Sequence, residues 1–190
     1  MSDTLGKVFV ISTTGLIIDT LPFLGDNPEG IAWDPNNDRI FVLEENEKQV
    51  VVWDSAGYEI NRFGLNIPNV VEKHGPEGLS YDSVNNQLFI LNEKAPGRLY
   101  QYSMQGVVID SIGFSVAADY SSVYSDISND AIWILSDESE IVFLFNSGGS
   151  LVDSWLTGIS KGEGLVVDRT QKIIFIVTDK DSYLCKYAWE

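Results

Sequence analysis

The sequence has few basic residues, one cysteine and one histidine among its 190 residues. With 12 basic against 28 acidic side chains, its formal net charge of −16 argues against nucleic acid and anionic membrane surfaces as partners. The single Cys185 excludes an internal disulfide and a zinc site built from paired cysteines. The single His74 excludes a pair of catalytic histidines. The acidic excess instead favours cationic ligands.

Long apolar runs and helical periodicity are also missing. No uninterrupted apolar run approaches the roughly 20 residues that span a bilayer, so we expect no membrane insertion by this segment. The first ten residues, MSDTLGKVFV, lack the charged and apolar regions of a signal peptide, so we expect no leader within this chain. What the sequence has instead is a series of short β-rich runs separated by turns.

A repeated motif organises these runs. Its clearest copy begins at Pro28 with PEGIAWDPNNDRIFVLEENEKQVVVWD, and further copies begin at Pro76, Tyr120 and Gly162, at spacings of 48, 44 and 42 residues. Each complete copy predicts four short strands, which we call A to D, and their short connections make them antiparallel. Units of this kind and spacing are typical of a β-propeller.

The ends of the chain predict how the propeller closes. The last copy stops after its third strand, and residues 7–23 match the second half of a copy, so these two segments together would complete one blade and remove free sheet edges. Seventeen strands result, against sixteen in four complete blades, because residues 8–11 and 183–187 both qualify as strand C. Either one terminus is displaced, or blades are completed between two chains in a homodimer.

We therefore predict an all-β fold: a single β-propeller domain over residues 1–190, with four blades of four antiparallel strands. Its units are 28–65, 76–112, 120–155, and 162–190 completed by 7–23.

Two acidic positions recur in these units, always sixteen residues apart. The first position precedes strand A and holds Glu29, Glu77 and Glu163, with Ser121 in the third unit. The second follows strand B and holds Glu45, Glu93, Asp137 and Asp179. Because strand B returns antiparallel to strand A, both positions lie at the same rim. We expect the acids to gather at one mouth of the central channel.

Two interpretations of the recurring acids stay open. Oxygen ligands that converge on an axis suit a hard cation, so the first predicts a calcium site at this mouth. In the second, the acids serve the repeat by capping backbone N–H groups of the next blade or by pairing with Lys94 or Lys180. His74 stands near the same mouth, where it is expected to be a loop residue.

Two smaller signals concern strand A. Asp34, Asn36 and Asp38 have the first three spacings of a calcium loop, but the sixth position lacks the glycine that such a loop requires, so they predict a turn between strands A and B. Aromatic residues fall mostly on strands, and Trp33 and Trp133 are expected in the core between blades.

Four stretches carry a resemblance to a known family: PEGIAWDP, PEGLSYD with LFILNEKAPGRLYQY, SSVYSD with IWILSDESEIVFLF, and GEGLVVD with IIFIVTDKDSYLCKY. They resemble the SdiA-regulated family of bacterial propeller proteins, which are relatives of NHL and phytase-like propellers. The resemblance implies a propeller of undefined biochemical role in the periplasm or cell envelope. It also places the family's recurrent acids on Glu29, Glu77, Glu93, Asp137, Glu138 and Glu163.

The sequence thus favours a non-enzymatic binding or scaffold module with an acidic, calcium-binding mouth and an unidentified small molecule, glycan or protein as partner. The alternative is a metal-dependent hydrolase of esters, lactones or phosphate esters, with Asp137 or Glu93 as base. Binding is favoured because neither an activated nucleophile nor a histidine base accompanies the acids.

Overall fold

Short antiparallel sheets make up the fold. The computed structural model describes residues 1, 5–23, 25–67, 75–94, 96–179 and 182–189, and Lys180 and His74 lie outside them. Within this described part, the regular structure is seventeen β-strands and one short 3₁₀ helix, Ile127–Asn129. It contains no helix long and apolar enough to cross a membrane.

The strands form an N-terminal hairpin, three four-stranded sheets and a three-stranded sheet. The hairpin consists of β1 (Phe9–Ile11) and β2 (Ile17–Thr20). The first complete sheet has β3 (Pro28–Asp34), β4 (Arg39–Glu44), β5 (Gln49–Asp54) and β6 (Glu59–Gly64). The second has β7 (Pro76–Asp82), β8 (Gln87–Asn92), β9 (Arg98–Ser103) and β10 (Val108–Gly113). The third has β11 (Ser122–Asp126), β12 (Ala131–Ser136), β13 (Ile141–Phe145) and β14 (Leu151–Leu156). The last sheet has β15 (Gly162–Asp168), β16 (Ile173–Thr178) and β17 (Leu184–Ala188).

Each sheet is a meander, because consecutive strands pair in chain order. A glycine at positive φ lies in the turn between the third and fourth strands of every complete unit: Gly57, Gly106 and Gly149. Glycine adopts this conformation without steric cost, so the tight turns follow directly from the sequence. The predicted all-β propeller with four blades is confirmed.

The hydrophobic core lies between blades. One cluster joins the first and second sheets, for example through Phe41, Leu79 and Tyr102. A second cluster joins the second and third sheets, and a third cluster, which includes Trp133, joins the third and fourth. The core therefore forms where one sheet packs on the next along the chain, as expected when a single unit has no core of its own.

The N-terminal hairpin sits between the first and last sheets. Val8 and Phe23 pack on Val42 of the first sheet, and Gly15 at the hairpin turn lies beside Leu184 of β17. In the described residues the hairpin forms its own two-stranded sheet and β17 ends a three-stranded one. Both candidate C strands are therefore present, and the contacts are consistent with closure of the ring by the hairpin.

Of the two tryptophans expected in the core, one is there. Trp133 is buried and stacks on Trp155, with ring centroids 5.4 Å apart. The expectation for Trp33 is wrong, since its side chain is 61% exposed. Trp33 lies on the innermost strand of its sheet, β3, on the face opposite Ala32, which packs towards the second sheet, and its side chain lines the central cavity.

A substitution at Gly30 tests how closely the neighbouring inner strands β3 and β7 pack. A methyl group there would lie 2.7 Å from Cβ of Leu79 and 2.9 Å from the carbonyl oxygen of Glu77 in the next blade. We expect Gly30→Ala to lower the free energy of unfolding by about 1–3 kcal/mol, because backbone must move. Gly64→Ala, which meets nothing within 4 Å, should change it by less than about 0.5 kcal/mol in the same urea titration. Equal effects of the two substitutions would contradict the packing of β3 on β7.

Candidate functional site at the acidic mouth

The glutamates that precede strand A lie at the start of the innermost strands. In β3, β7 and β15 the pairing register shifts at this point, between Pro28 and Gly30, between Pro76 and Gly78, and between Gly162 and Gly164. The residue at the centre of each shift is the glutamate: Glu29, Glu77 and Glu163. A β-bulge of this kind leaves one residue out of the ladder and turns its side chain. The chain thus redirects the same glutamate in three blades.

The third unit departs from this arrangement. Ser121 is buried, its hydroxyl donates a hydrogen bond to the carbonyl oxygen of Gly162 at 2.7 Å, and β11 pairs with β12 without a register shift. In this unit the residue at the strand-start position therefore links the third blade to the fourth. The acidic mouth, by which we mean Glu29, Glu77 and Glu163, therefore has three carboxylates and one neutral side.

The three glutamates are half-buried, and the charges of Glu29 and Glu163 act on the carboxyl group of Glu77. Burial, followed by the charges of Glu93, Glu163, Glu29 and Glu45, raises the pKa of Glu77 to about 9. Burial and the nearby Asp137 raise the pKa of Glu163 to about 7, against the opposing effect of Lys161. Glu77 is therefore the strand-start acid whose pKa the neighbouring carboxylates affect most.

The acids that follow strand B contact neighbouring blades. Glu45 accepts hydrogen bonds at 3.0 Å from the side-chain amide of Asn27 in its own blade and from the backbone N–H of Gly75 at the start of the next. In the third blade, Asp137 lies 2.7 Å from Nζ of Lys161, which begins the fourth. Both partners in the following blade stand two residues before the strand-start position. The acids thus link successive blades, as the second interpretation requires.

The remaining candidate acids have different surroundings. Glu93 forms an ion pair of 2.7 Å with Lys94, whose ammonium group also lies 3.0 Å from Glu138. The two carboxylates hold the pKa of Lys94 above its usual range. Asp179 is exposed at the end of β16, and its charge contributes to the raised pKa of Glu163. Among the described residues, no group of three or more carboxylate, histidine or cysteine side chains has an arrangement that would hold a metal ion.

Sequence reasoning missed Asp119. This fully buried carboxyl accepts a hydrogen bond from the Ser136 hydroxyl at 2.6 Å and from the backbone N–H of Asp137 at 3.2 Å. Burial and the neighbouring Asp137 raise the pKa of Asp119, while Lys161 helps to keep Asp137 ionised. Asp119 stands two residues before the strand-start position of its unit, where other units have Asn27 and Lys161. An alignment of the units that included this position would have identified Asp119 as a candidate.

A further acid recurs at the opposite rim, where the inner strands end. It accepts hydrogen bonds from the turn that follows. Oδ1 of Asp34 accepts hydrogen bonds from the backbone N–H groups of Asn36 and Asn37, and Asp82 does the same for Val84 and Asn85. The predicted turn between strands A and B at Asp34 is confirmed.

The architecture and the rim define the class of protein: a four-bladed β-propeller with one acidic channel mouth. The chain belongs to the SdiA-regulated family, whose model matches residues 12–183. This confirms the resemblance. No curated protein matches the sequence.

Solved structures share the fold at low sequence identity. Hydrazine synthase of Kuenenia stuttgartiensis is 12% identical with a TM-score of 0.60, over 85% of this chain and 46% of that one. A nidogen/laminin complex is 14% identical with a TM-score of 0.59, over 90% and 67%. A protein of unknown function from Bacteroides caccae is 10% identical with a TM-score of 0.57, over 96% and 69%. The chain therefore spans less than half of the hydrazine synthase chain, and these likenesses concern the fold alone.

Glu45 offers a test of the contact between blades. Glu45→Ala leaves the N–H of Gly75 and the amide of Asn27 without their acceptor, so we expect the free energy of unfolding to fall by about 1–3 kcal/mol. Glu47→Ala removes the same charge from an exposed position nearby and should cost less than about 0.5 kcal/mol. The measurement is urea denaturation at neutral pH. A cost as small as that of Glu47→Ala would show that the contact does not stabilise the ring.

Glu77 offers a test of repulsion at the acidic mouth. Because its pKa rises from 4.5 to about 9 on folding, the folded state binds more protons than the unfolded state between these pH values. Stability attributable to Glu77 is therefore lost as pH increases from 4.5 to 9. Glu77→Gln removes this loss, so the variant should melt about 2–4 °C above wild type at pH 9 and close to it at pH 4.5.

Glu59→Gln is the control for this experiment. The guanidinium of Arg62 holds the pKa of exposed Glu59 below its usual range, so its loss should give no gain in melting temperature at pH 9. A gain from Glu77→Gln that is equal at both pH values would argue against a titrating carboxyl as its source.

Proposed function

We propose that this chain is a non-enzymatic binding module whose acidic mouth takes a cationic ligand, with calcium as the simplest candidate. The observation that supports it most is the β-bulge that recurs at Glu29, Glu77 and Glu163. Bulges concentrate where a fold redirects a side chain towards a functional position. Here three of them carry a glutamate at the same rim of a protein whose net charge is −16.

The two acidic positions differ in a way that favours ligand binding at the first. Glu45 and Asp137, at the second position, already have partners in the next blade. The carboxyl groups of Glu77 and Glu163 are instead kept partly protonated by burial and by like charge. A bound cation would relieve this repulsion and lower both pKa values, so its binding is linked to proton release.

Calcium fits the oxygen donors at this mouth but not as a preformed site. Because no group of three candidate ligands has the required arrangement among the described residues, the site would have to order its side chains on binding. We therefore expect affinity in the weak range of calcium-binding modules, with a dissociation constant of about 0.1–1 mM. A cationic group on another molecule would be attracted by the same carboxyl groups.

Hydrolysis of esters, lactones or phosphate esters gains less support. The two candidate bases are both paired with an ammonium group, Glu93 with Lys94 and Asp137 with Lys161. A carboxylate that already bonds to a lysine ammonium is less available to accept a proton from a substrate. We therefore favour binding over catalysis.

Calcium titration by calorimetry, with thermal melting alongside, tests the proposal. Wild type should bind calcium, with binding lost in the double variant Glu29→Gln/Glu163→Gln and heat of proton release growing with decreasing pH. The matched control is Glu59→Gln/Asp153→Asn, which removes the same charge from exposed positions on the outermost strands β6 and β14 and should bind as wild type does. If wild type neither binds calcium nor gains thermal stability from it, the calcium proposal is wrong, and a protein or glycan surface becomes the better account.

A further inference from the structure

The channel opens at its other end on a cavity of about 540 Å³. The second half of every inner strand contributes to it, from β3, β7, β11 and β15, so the cavity lies on the axis of the propeller. Its position is opposite the acidic mouth, because the glutamates stand where these strands begin. Sites for small molecules have volumes of roughly 300–1,000 Å³, which includes this one.

Apolar and aromatic side chains line this cavity and remain open to solvent. Trp33 is 61% exposed, Val84 65% and Val166 55%. Tyr81 and Tyr124 line the wall between them. We call these five residues the aromatic mouth. Burial of such side chains is favourable, so their exposure together in a concave site favours a ligand that covers them.

The walls of the aromatic mouth are fixed in place. The Tyr81 hydroxyl donates a hydrogen bond to Asn86 at 3.0 Å, and the Tyr81 ring packs on Phe41 with centroids 5.3 Å apart. Deeper in the cavity, the hydroxyls of Ser80 and Ser125 lie 2.8 Å apart on neighbouring inner strands. The site therefore combines rigid aromatic surface with a small number of polar groups, as ligand sites do.

Charge at the aromatic mouth discriminates against anions. Asp82 and Asp126 line the cavity, and both are engaged, Asp82 by backbone N–H groups of its turn and Asp126 by Asn129 and Arg169. Arg169 balances the charge of Asp126 at 3.3 Å, so the repulsion of anions rests on Asp82 and on the overall net charge of −16. A negatively charged ligand would be repelled.

We propose that the aromatic mouth binds a small planar aromatic molecule that carries no negative charge, with its ring stacked on the indole of Trp33. Aromatic pairs gain more than their buried area alone provides, and the tyrosines offer further ring contacts. The cavity size favours a small molecule over a protein segment. This site is separate from the acidic mouth and does not depend on its function.

Three probes with the same ring system but different charge test the proposal: indole, tryptamine and indole-3-acetate. NMR resolves the indole N–H signals of the five tryptophans, and Trp33→Phe assigns the one of interest. Indole and tryptamine should shift the Trp33 signal saturably, with a dissociation constant of about 1 mM or tighter. Indole-3-acetate should bind at least about 10-fold more weakly because of its carboxylate.

Variants separate the site from non-specific binding. Trp33→Ala should abolish the shifts that the probes cause in nearby backbone signals such as that of Val84, whereas Tyr58→Ala, an exposed aromatic elsewhere, should leave them unchanged. The signals of Trp133 report whether each variant is folded. If Trp33→Ala does not fold, Val84→Asp, at a 65% exposed position, should weaken tryptamine less than indole.

Three results would overturn the proposal: no shift of Trp33 with any probe at about 10 mM, equal shifts in Trp33→Ala, or equal affinity for indole-3-acetate. The variant Glu29→Gln/Glu163→Gln should bind indole as wild type does, so failure at one mouth is distinguishable from failure at the other.

Discussion

The packing of each blade on its neighbours is the constraint on which the rest of the structure depends. The buried clusters are shared between adjacent sheets, so a sheet has no core until the next one covers it. The inner strands meet so closely that Gly30 and Gly78 have backbone of the next blade within about 3 Å of where a side chain would start. The channel of this ring has two mouths, and each blade contributes different side chains to the two ends.

Several of the acidic residues stabilise this ring. The acids after strand B in the first and third blades bond to the residue that begins the following blade, and the aspartates at the far end of the inner strands close turns. The strand-start glutamates are carried on bulges instead, and the charges of Glu29 and Glu163 help to raise the pKa of Glu77. The opposite mouth carries Trp33 and its apolar neighbours. The two mouths thus differ sharply in the chemistry they present.

Sequence spacing predicted the blades, their strands and the common rim of the acids, because turn residues and strand alternation are local properties. It did not predict that Trp33 faces the channel, since alternation assigns two faces to an inner strand without saying which one meets a neighbouring blade. It missed Asp119, whose chemistry is confined to one unit. Nor could the sequence show that the two acidic positions have different roles. Glu45 bonds to a backbone N–H of the next blade and Glu77 lies among other carboxylates, and only the assembled ring brings these groups together.

The central claim is that the strand-start glutamates are the cation-binding acids of this propeller. The most direct test is anomalous diffraction from crystals soaked in terbium, a strongly scattering substitute for calcium. The account predicts an anomalous peak on the propeller axis in contact with Glu77 and at least one of Glu29 and Glu163. Terbium bound instead at Glu45 or Asp137, or no peak at the acidic mouth, would contradict it.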